Sequence, residues 1–236
     1  MGADEVAILA TSVMAAPCGL YLSKLMLPET ELPETHGRAQ IASEKLHGNA
    51  IDAAAAGASD GMYLALNVAA MLIAFLAFIA LVNAVIGGIK PTLLTCGFPP
   101  GMLAEWPDNL SLATIFSWVF APFAFLIGAG AQDIGPIADL LGTKLVANEF
   151  VAYVKLTTPA AEQGYHDVIS PRGYALATYA LTGFANFASI GIQLGGIGSL
   201  APKRRPDLAA LGGRALLCGF LATLINAAIA GIMMSG

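Results

Sequence analysis

Long apolar runs separated by short polar stretches make up most of the chain. The runs that hold no Asp, Glu, Lys or Arg cover residues 6–23, 62–89, 109–132, 173–202 and 215–236. A helix of about 20 apolar residues, rising about 1.5 Å per residue, crosses the hydrocarbon core of a bilayer. Each run is long enough, or nearly long enough, to do so. The pattern therefore predicts an all-α membrane protein built as a polytopic helical bundle.

The runs predict different kinds of helix. Residues 65–85 are aliphatic or aromatic apart from Asn67 and Asn83, which predicts a simple spanning helix. The run around residues 110–127 contains a proline, and it fits a spanning helix and an amphipathic interfacial helix equally well. Residues 41–57 are alanine-rich with three charged side chains, which predicts a partly exposed connecting helix.

The overall composition supports a membrane protein. Only 11% of the 236 residues are charged, against roughly a quarter in soluble domains, and the mean hydropathy is +0.72. The net charge of -5 provides no basic stripe for phosphates, which excludes a nucleic-acid partner. Three scattered cysteines predict neither a disulfide framework nor a metal site, and the three histidines fall in polar stretches where we expect them to be solvated.

Three segments depart from the pattern of a plain spanning helix, and the first is residues 9–19. A polar pair, Thr11 and Ser12, is followed by Pro17 in the middle of the run. Pro17 has no backbone N–H to donate to the carbonyl oxygen of Val13. We therefore expect this helix to be kinked or unwound beside the hydroxyl groups.

The second segment, residues 133–156, is apolar enough for membrane depth but too short for two full spans, and it holds Lys144, Asn148 and Glu149. It predicts a re-entrant helical hairpin, because irregular backbone is tolerated at depth where it lines a cavity. Lys144 and Glu149 would not share a helix face, so Glu149 needs another partner. A carboxylate at the bilayer centre costs about 2.5–3.5 kcal/mol, which makes Glu149 a candidate site residue. The alternative is an interfacial Glu that reaches water.

The third segment is residues 180–198, an apolar run with Asn186 at its centre. Ser189 and Gln193 follow at spacings of three and four residues, so the three polar side chains would share one helix face. Glycines loosen the backbone around them. The segment predicts a second broken helix, of the kind that secondary transporters use to expose backbone dipoles. Polar contacts between closely packed small-residue helices are the alternative.

The loops after the two interrupted runs differ in charge. Residues 28–34 are acidic, and residues 202–206 are basic. The positive-inside bias predicts that the basic loop is cytoplasmic and that the C-terminus lies outside. The two broken helices would then run in opposite directions, as an inverted repeat requires.

Five ordered segments resemble the concentrative nucleoside transporters in their bacterial form, over essentially the whole chain. These segments are residues 11–17, 24–31, 142–153, 183–193 and 196–205. The resemblance implies an elevator-type transporter, in which a mobile transport domain moves by alternating access against a homotrimeric scaffold. It also implies the bacterial inner membrane as the location and a Na⁺ or H⁺ gradient as the driving force, with no other cofactor.

By this resemblance the chain divides into four parts. Residues 1–60 would hold the first broken helix, the acidic loop and the connecting helix of the transport domain. Residues 61–90 would be a long scaffold-like spanning helix, and residues 91–132 a loop with an interfacial or spanning helix. Residues 133–236 would hold the re-entrant hairpin, the second broken helix and the last spanning helix, again as part of the transport domain.

The resemblance also implies roles for individual residues. The substrate-binding residues that it implies are Glu149, Asn148, Phe184, Asn186 and Ser189. Glu149 would hold the nucleoside ribose together with Asn186 and Ser189, and Phe184 would lie beside the base. The chemistry agrees, because an ionised Glu can accept both hydroxyl hydrogens of a vicinal diol and Asn can donate and accept. An aromatic face offers the base a flat apolar surface.

The resemblance is to a part of a longer protein. Family members are close to twice this length, and their first half carries another hairpin that meets the base and completes the cation site. Here that cation site would be represented by Ser12 and the carbonyl group of Val13. We therefore expect a C-terminal portion, arising from truncation, a split gene or a mistaken start. Purine against pyrimidine preference and Na⁺ against H⁺ coupling are left open.

The expected function is cation-coupled uptake of nucleosides, by a chain that lacks the first hairpin. The alternative is a non-transporting membrane subunit or remnant that packs or binds without moving solute. No enzymatic activity is expected. An intramembrane hydrolase is disfavoured because Asp133 and Asp139 lack a paired motif partner and no His-Glu metal signature occurs.

Overall fold

The structure is a computed structural model that describes residues 5–30, 32, 48–107 and 110–234. Within these residues it is all-helical and contains no strand, as predicted. The α-helices are α1 Glu5–Met26, α2 Ala50–Thr95, α3 Leu112–Leu126, α4 Ile134–Val146, α5 Glu149–Thr157, α6 Pro171–Leu181, α7 Phe187–Leu200 and α8 Arg205–Met233. Among the described residues, three stretches are long and apolar enough to cross a membrane: Glu5–Met26, Ile73–Thr95 and Pro202–Met233.

Some predictions fall wholly or partly outside the described residues. Residues 41–47 of the predicted connecting helix lie outside them, and so does part of the acidic loop over residues 28–34. His36 and His47, which we expected to be solvated, also lie outside them. The third histidine, His166, is exposed, as predicted.

Helix α1 is continuous and contains Pro17 in its interior. We predicted a kinked or unwound helix here, the first of two broken helices, and the unwinding is wrong because α1 is not interrupted. The Ser12 hydroxyl donates to the carbonyl oxygen of Ile8 at 2.8 Å, so it is used inside the helix. A proline removes one backbone hydrogen bond, and here the other turns keep the helix uninterrupted.

Helix α2 extends well beyond the run that predicted it. The helix predicted over residues 65–85 is confirmed, and it is continuous with residues 50–57 of the predicted connecting helix. Asn49 caps the N-terminus, because its side-chain oxygen accepts a hydrogen bond from the backbone N–H of Asp52 at 2.8 Å. The divisions drawn at residues 60 and 90 both fall inside this one helix.

Helix α3 packs closely along α4. Its 15 residues continue through Pro122 and would span about 22 Å, less than the roughly 30 Å of a hydrocarbon core. At Gly142 of α4, an added Cβ atom would lie only 2.6 Å from the carbonyl oxygen of Ala113 in α3. Glycine permits this approach because it has no Cβ atom, and the contact fixes α3 against α4.

Helices α4 and α5 form a hairpin whose tip is Ala147 and Asn148. Near its open end, Lys155 of α5 forms an ion pair with Asp139 of α4, which shows that the two helices are antiparallel. The Tyr165 hydroxyl donates to the same carboxylate at 3.1 Å and ties the following loop to the hairpin. The predicted helical hairpin is confirmed, and its depth in a bilayer stays a prediction.

Helices α6 and α7 are separated by a short non-helical segment, residues 182–186, which we call the break. Ser170 caps the start of α6 by accepting a hydrogen bond from the backbone N–H of Gly173 at 3.0 Å, and Asn186 caps the start of α7. Within the break, Gly183 has a φ angle of +100°, which glycine adopts at little cost. The predicted interruption of the helix is confirmed, and its position in a membrane stays a prediction.

Helix α8 closes the core. Phe220 of α8 stacks on Phe120 of α3 with the ring centroids 4.7 Å apart. Arg172, at the start of α6, donates to the carbonyl oxygens of Gly231 and Met234, both at 2.7 Å. Carbonyl groups at the end of a helix are those that generally need a partner from outside the helix, and Arg172 donates to two of them at the end of α8. The core thus holds α3, the hairpin, the broken helix and α8 together.

Candidate functional site

The tip of the hairpin meets the break between α6 and α7. Asn186 Nδ2 donates a hydrogen bond to Glu149 Oε2 at 3.0 Å. The Asn186 side chain is buried and Glu149 is half-buried. We predicted that Glu149 needs a partner other than Lys144. That partner is the amide of Asn186, 37 residues further along the chain.

The other hydrogen bonds of Asn186 orient its amide group. Its Oδ1 accepts from the backbone N–H of Ser189 at 2.8 Å and from the Ser189 hydroxyl at 2.9 Å. Because Oδ1 is occupied by the first turn of α7, and because Nδ2 can only donate, the amide points its donor at Glu149. Asn186 and Ser189 thus act as one unit.

Two helix N-termini converge at this contact. Asn148 caps α5 by accepting a hydrogen bond from the backbone N–H of Val151 at 2.8 Å, and Glu149 is the first residue of α5. Helix N-termini carry unsatisfied N–H groups and partial positive charge, which stabilise a carboxylate. In the described part of the chain, Glu149 Oε1 has no hydrogen-bond partner. One carboxylate oxygen can therefore accept from a ligand.

Lys144 lies fully buried beneath the contact. Its Nζ donates to the carbonyl oxygens of Ala180 at 2.8 Å and Thr182 at 3.2 Å, and to the Thr223 hydroxyl at 3.0 Å. Those carbonyl groups form the end of α6, where helical partners are missing and partial negative charge collects. Lys144 therefore caps α6. As predicted, no ion pair joins it to Glu149 within the described residues.

Phe184 projects from the break and is 76% exposed. Together with Ser189 it lines a cavity of about 490 Å³ between α1, α7 and α8, a volume within the range of about 300–1,000 Å³ typical of small-molecule pockets. Neither Glu149 nor Asn186 belongs to the described lining of this cavity. The structure thus connects Phe184 with Ser189, and Ser189 with the Asn186–Glu149 contact.

Ser12 and Val13, the predicted cation-binding residues, lie on the exposed face of α1. The Val13 side chain is 69% exposed. Their neighbour Thr11 is fully buried, and its carbonyl oxygen accepts a weak hydrogen bond from Asn226 Nδ2 of α8 at 3.4 Å. The continuous helix brings no second group to Ser12 among the described residues, and the cation-binding role of both residues stays a prediction.

The sequence analysis missed the residues that secure the break. The Tyr153 hydroxyl lies 2.7 Å from the carbonyl oxygen of Thr178 and 2.9 Å from the hydroxyl of Thr182. The Thr223 hydroxyl of α8 accepts a hydrogen bond from Lys144, which lies 79 residues earlier in the sequence. No local spacing signals such contacts. The available signal was Lys144 itself, a charged residue in an apolar segment.

Comparison with known proteins identifies the family. The family model described as "Na+ dependent nucleoside transporter C-terminus" matches residues 7–231, nearly the whole chain. The chain belongs to the concentrative nucleoside transporter family. This is a family of transporters and not of enzymes.

Relatives of this transporter-family chain are found in bacteria and mammals. An uncharacterized transporter of Bacillus subtilis, YutK, is 43% identical over 229 residues, which cover 96% of this chain and 52% of YutK. Sodium/nucleoside cotransporter 1 of Mus musculus is 42% identical over 244 residues, which cover 98% of this chain and 36% of the cotransporter. The chain thus spans between about a third and a half of the length of these relatives.

Solved structures of CNTnw have the same fold over this chain. CNTnw in an inward-facing substrate-bound state is 39% identical, with a TM-score of 0.68, and the match covers 100% of this chain and 52% of CNTnw. A CNTnw variant in an outward-facing state gives a TM-score of 0.74 at 37% identity, over 97% of this chain and 51% of that variant.

Proposed function

We propose that this chain supplies the ribose-binding half of a cation-coupled nucleoside transporter of the bacterial inner membrane. The observation that supports this proposal most strongly is the hydrogen bond between Asn186 and Glu149. It brings a half-buried carboxylate and an oriented amide donor together where two helices begin, in a chain otherwise dominated by apolar residues. Ionisable groups in such surroundings are retained where they bind a substrate or an ion.

The ribose of a nucleoside carries the complementary chemistry. Its vicinal hydroxyl groups donate two hydrogen bonds, and a carboxylate accepts through both of its oxygens. Glu149 Oε1 accepts the first, and Oε2 accepts the second as the ribose displaces or shares the hydrogen bond from Asn186. The Asn186 amide then donates to a ribose oxygen, while Ser189 keeps it oriented. Hydrogen bonds to a charged group are the stronger ones in such a site.

The base is bound less specifically in this half. Phe184, with Ser189 beside it, lines the cavity next to the break, and its exposed ring offers a flat apolar surface for a base. Asn148 acts by shaping the tip, because its side chain caps α5. Selectivity between purine and pyrimidine nucleosides would come from groups other than Phe184, Ser189 and Asn148.

Coupling and assembly follow the family. The family description names Na⁺, and we propose Na⁺, with H⁺ as the alternative, as the ion that drives uptake through a site that includes Ser12 and the Val13 carbonyl group. Helix α1 and residues 133–236 would belong to the moving transport domain. Helix α2, which contains both divisions drawn at residues 60 and 90, would belong to a scaffold that forms a homotrimer.

Uptake into proteoliposomes tests the proposal. The purified chain is reconstituted, and accumulation of radiolabelled uridine is measured with an inward Na⁺ gradient and separately with an inward H⁺ gradient. We expect gradient-dependent accumulation that Glu149→Gln abolishes. The matched control is Glu162→Gln, which alters an exposed carboxylate in the loop between α5 and α6 and should leave uptake unchanged. Full uptake by the Glu149→Gln variant would remove Glu149 from its role.

A second candidate function follows from the coverage of the relatives. The chain spans about half of YutK, and in this second candidate function it acts as a membrane subunit that binds nucleoside without moving it. It predicts saturable uridine binding to the purified chain with no accumulation under either gradient. Accumulation against a gradient would rule this candidate out.

A further inference from the structure

The ammonium group of Lys144 lies at the C-terminal end of helix α6. Its Nζ is surrounded by two backbone carbonyl oxygens, of Ala180 and Thr182, and by the Thr223 hydroxyl, at 2.8–3.2 Å. Lys144 Nζ also lies over the ring of Phe220, 5.3 Å from the ring centroid. Carbonyl groups at the C-terminal end of a half-helix are the groups with which broken-helix transporters coordinate Na⁺. Here the positive charge is covalently attached to the neighbouring hairpin.

Lys144 joins the two elements that make the candidate site. It lies in the last turn of α4, five residues before Glu149 at the tip. Its acceptor Thr182 begins the break, four residues before Asn186. One buried ammonium group therefore links the hairpin that carries the carboxylate to the segment that carries the amide.

The position of the break depends on this link. The end of α6 is largely shielded from water near Lys144, because Ala180 and Leu181 are 0% exposed and Thr182 is half-buried. Carbonyl groups left without partners in such surroundings are costly. With Lys144 in place, α6 can end at Leu181, and the chain turns at Gly183 toward Asn186.

We propose that Lys144 is a tethered cation and a positioning residue, which fixes where α6 ends and thereby directs Asn186 toward Glu149. A mobile coupling ion then has no place at this end of α6. The part of the proposal that concerns ligand affinity rests on the proposed function. The part that concerns the geometry of the break does not.

Local hydrogen exchange tests the geometry. Deuterium uptake of peptides covering residues 182–189 is measured by mass spectrometry in the full chain, with peptides of α2 as an internal reference. For Lys144→Met we expect exchange in residues 182–189 to accelerate about tenfold or more, while α2 is unchanged. Lys144→Gln, which keeps N–H donors without charge, should behave in the same way.

Two further variants make the result specific. Lys155→Met removes a lysine from the same hairpin that pairs with Asp139 and does not contact the break, so exchange in residues 182–189 should stay at the wild-type rate. Thr223→Val keeps the side-chain shape and removes one acceptor of Lys144, so it should accelerate exchange by a smaller factor. This mild variant decides the question if Lys144→Met fails to fold.

The outcomes separate the two proposals. Wild-type exchange over residues 182–189 in Lys144→Met, or in Thr223→Val if the former does not fold, overturns the positioning role. Acceleration of equal size in α2 also overturns it, because Lys144 would then act on overall stability. Wild-type exchange in Lys144→Gln overturns the role of the charge. A wild-type chain that binds no uridine contradicts the proposed function and leaves the exchange result to decide on Lys144.

Discussion

Asn186 and Glu149 face each other across the N-termini of two different helices, joined by a hydrogen bond of 3.0 Å. Asn186→Asp would place two carboxylates in contact, although aspartate remains a good helix cap. We expect this variant to lower the free energy of unfolding of the detergent-solubilised chain by about 1–3 kcal/mol, because a partly buried hydrogen bond is replaced by repulsion between two carboxylates. Thermal or denaturant unfolding measures the change.

The reversed pair is the control for this variant. In the double variant Glu149→Gln with Asn186→Asp, an amide donor again faces a carboxylate, with the two groups exchanged. The double variant should recover most of the stability that Asn186→Asp loses, which a double-mutant cycle quantifies. Equal stability of the single and double variants would show that the two side chains are not coupled.

The close packing of α3 on α4 should make the stability of the chain sensitive to any side chain at Gly142. An added Cβ atom would lie 2.6 Å from the carbonyl oxygen of Ala113 and 3.1 Å from the backbone nitrogen of Ser117, and neither can move without its helix. Gly142→Ala should therefore destabilise the chain by about 1–3 kcal/mol.

Gly135, in the same helix, provides the matched comparison. A Cβ atom there meets nothing within 4 Å, so Gly135→Ala should be neutral or should stabilise α4 by up to about 1 kcal/mol. Unfolding of both variants under identical conditions gives the comparison. Similar effects of the two substitutions would contradict the close approach at Gly142.

Because of Tyr165, the free energy of unfolding should fall as the pH becomes alkaline. Burial, with the Asp139 carboxylate beside the phenol, raises the pKa of Tyr165 above its ordinary value. A raised pKa in the folded state contributes stability that is fully present below the unfolded pKa of about 10 and is lost as the pH rises above it. The stability advantage of the wild type over Tyr165→Phe should therefore be constant up to about pH 9 and shrink as the pH rises above about 10. Parallel pH profiles of the two proteins would refute this.

The candidate site was predictable because polar groups in apolar segments are rare. Glu149 lies in a short segment that is apolar enough for membrane depth, and Asn186 interrupts a run that could otherwise cross a membrane. Burying either polar side chain is costly unless it has a partner. The helical hairpin and the broken helix followed from the same segments. Spacing could not predict that these two residues contact each other, because they are 37 residues apart in the sequence and lie at the starts of different helices.

A proline inside an apolar run was an unreliable signal of a helix break. Pro17 lies inside the continuous helix α1, and Pro91 and Pro122 lie inside α2 and α3. One missing backbone hydrogen bond costs less than the ends of two separate helices in apolar surroundings. The break between α6 and α7 instead contains Gly183 and is capped by Asn186 at the start of α7 and by Lys144 at the end of α6. The local sequence does not reveal the contact of Lys144, because it joins groups 36 residues apart.

The central claim is that Glu149 accepts the hydroxyl hydrogens of a ribose. The most direct measurement is equilibrium binding of uridine and of 2′,3′-dideoxyuridine to the purified chain and to its Glu149→Gln variant. The wild type should bind uridine at least about tenfold more tightly than the dideoxy analogue, since each hydroxyl donates to a charged acceptor, and Glu149→Gln should lose this preference. A Glu149→Gln variant that keeps the wild-type preference for uridine would contradict the claim.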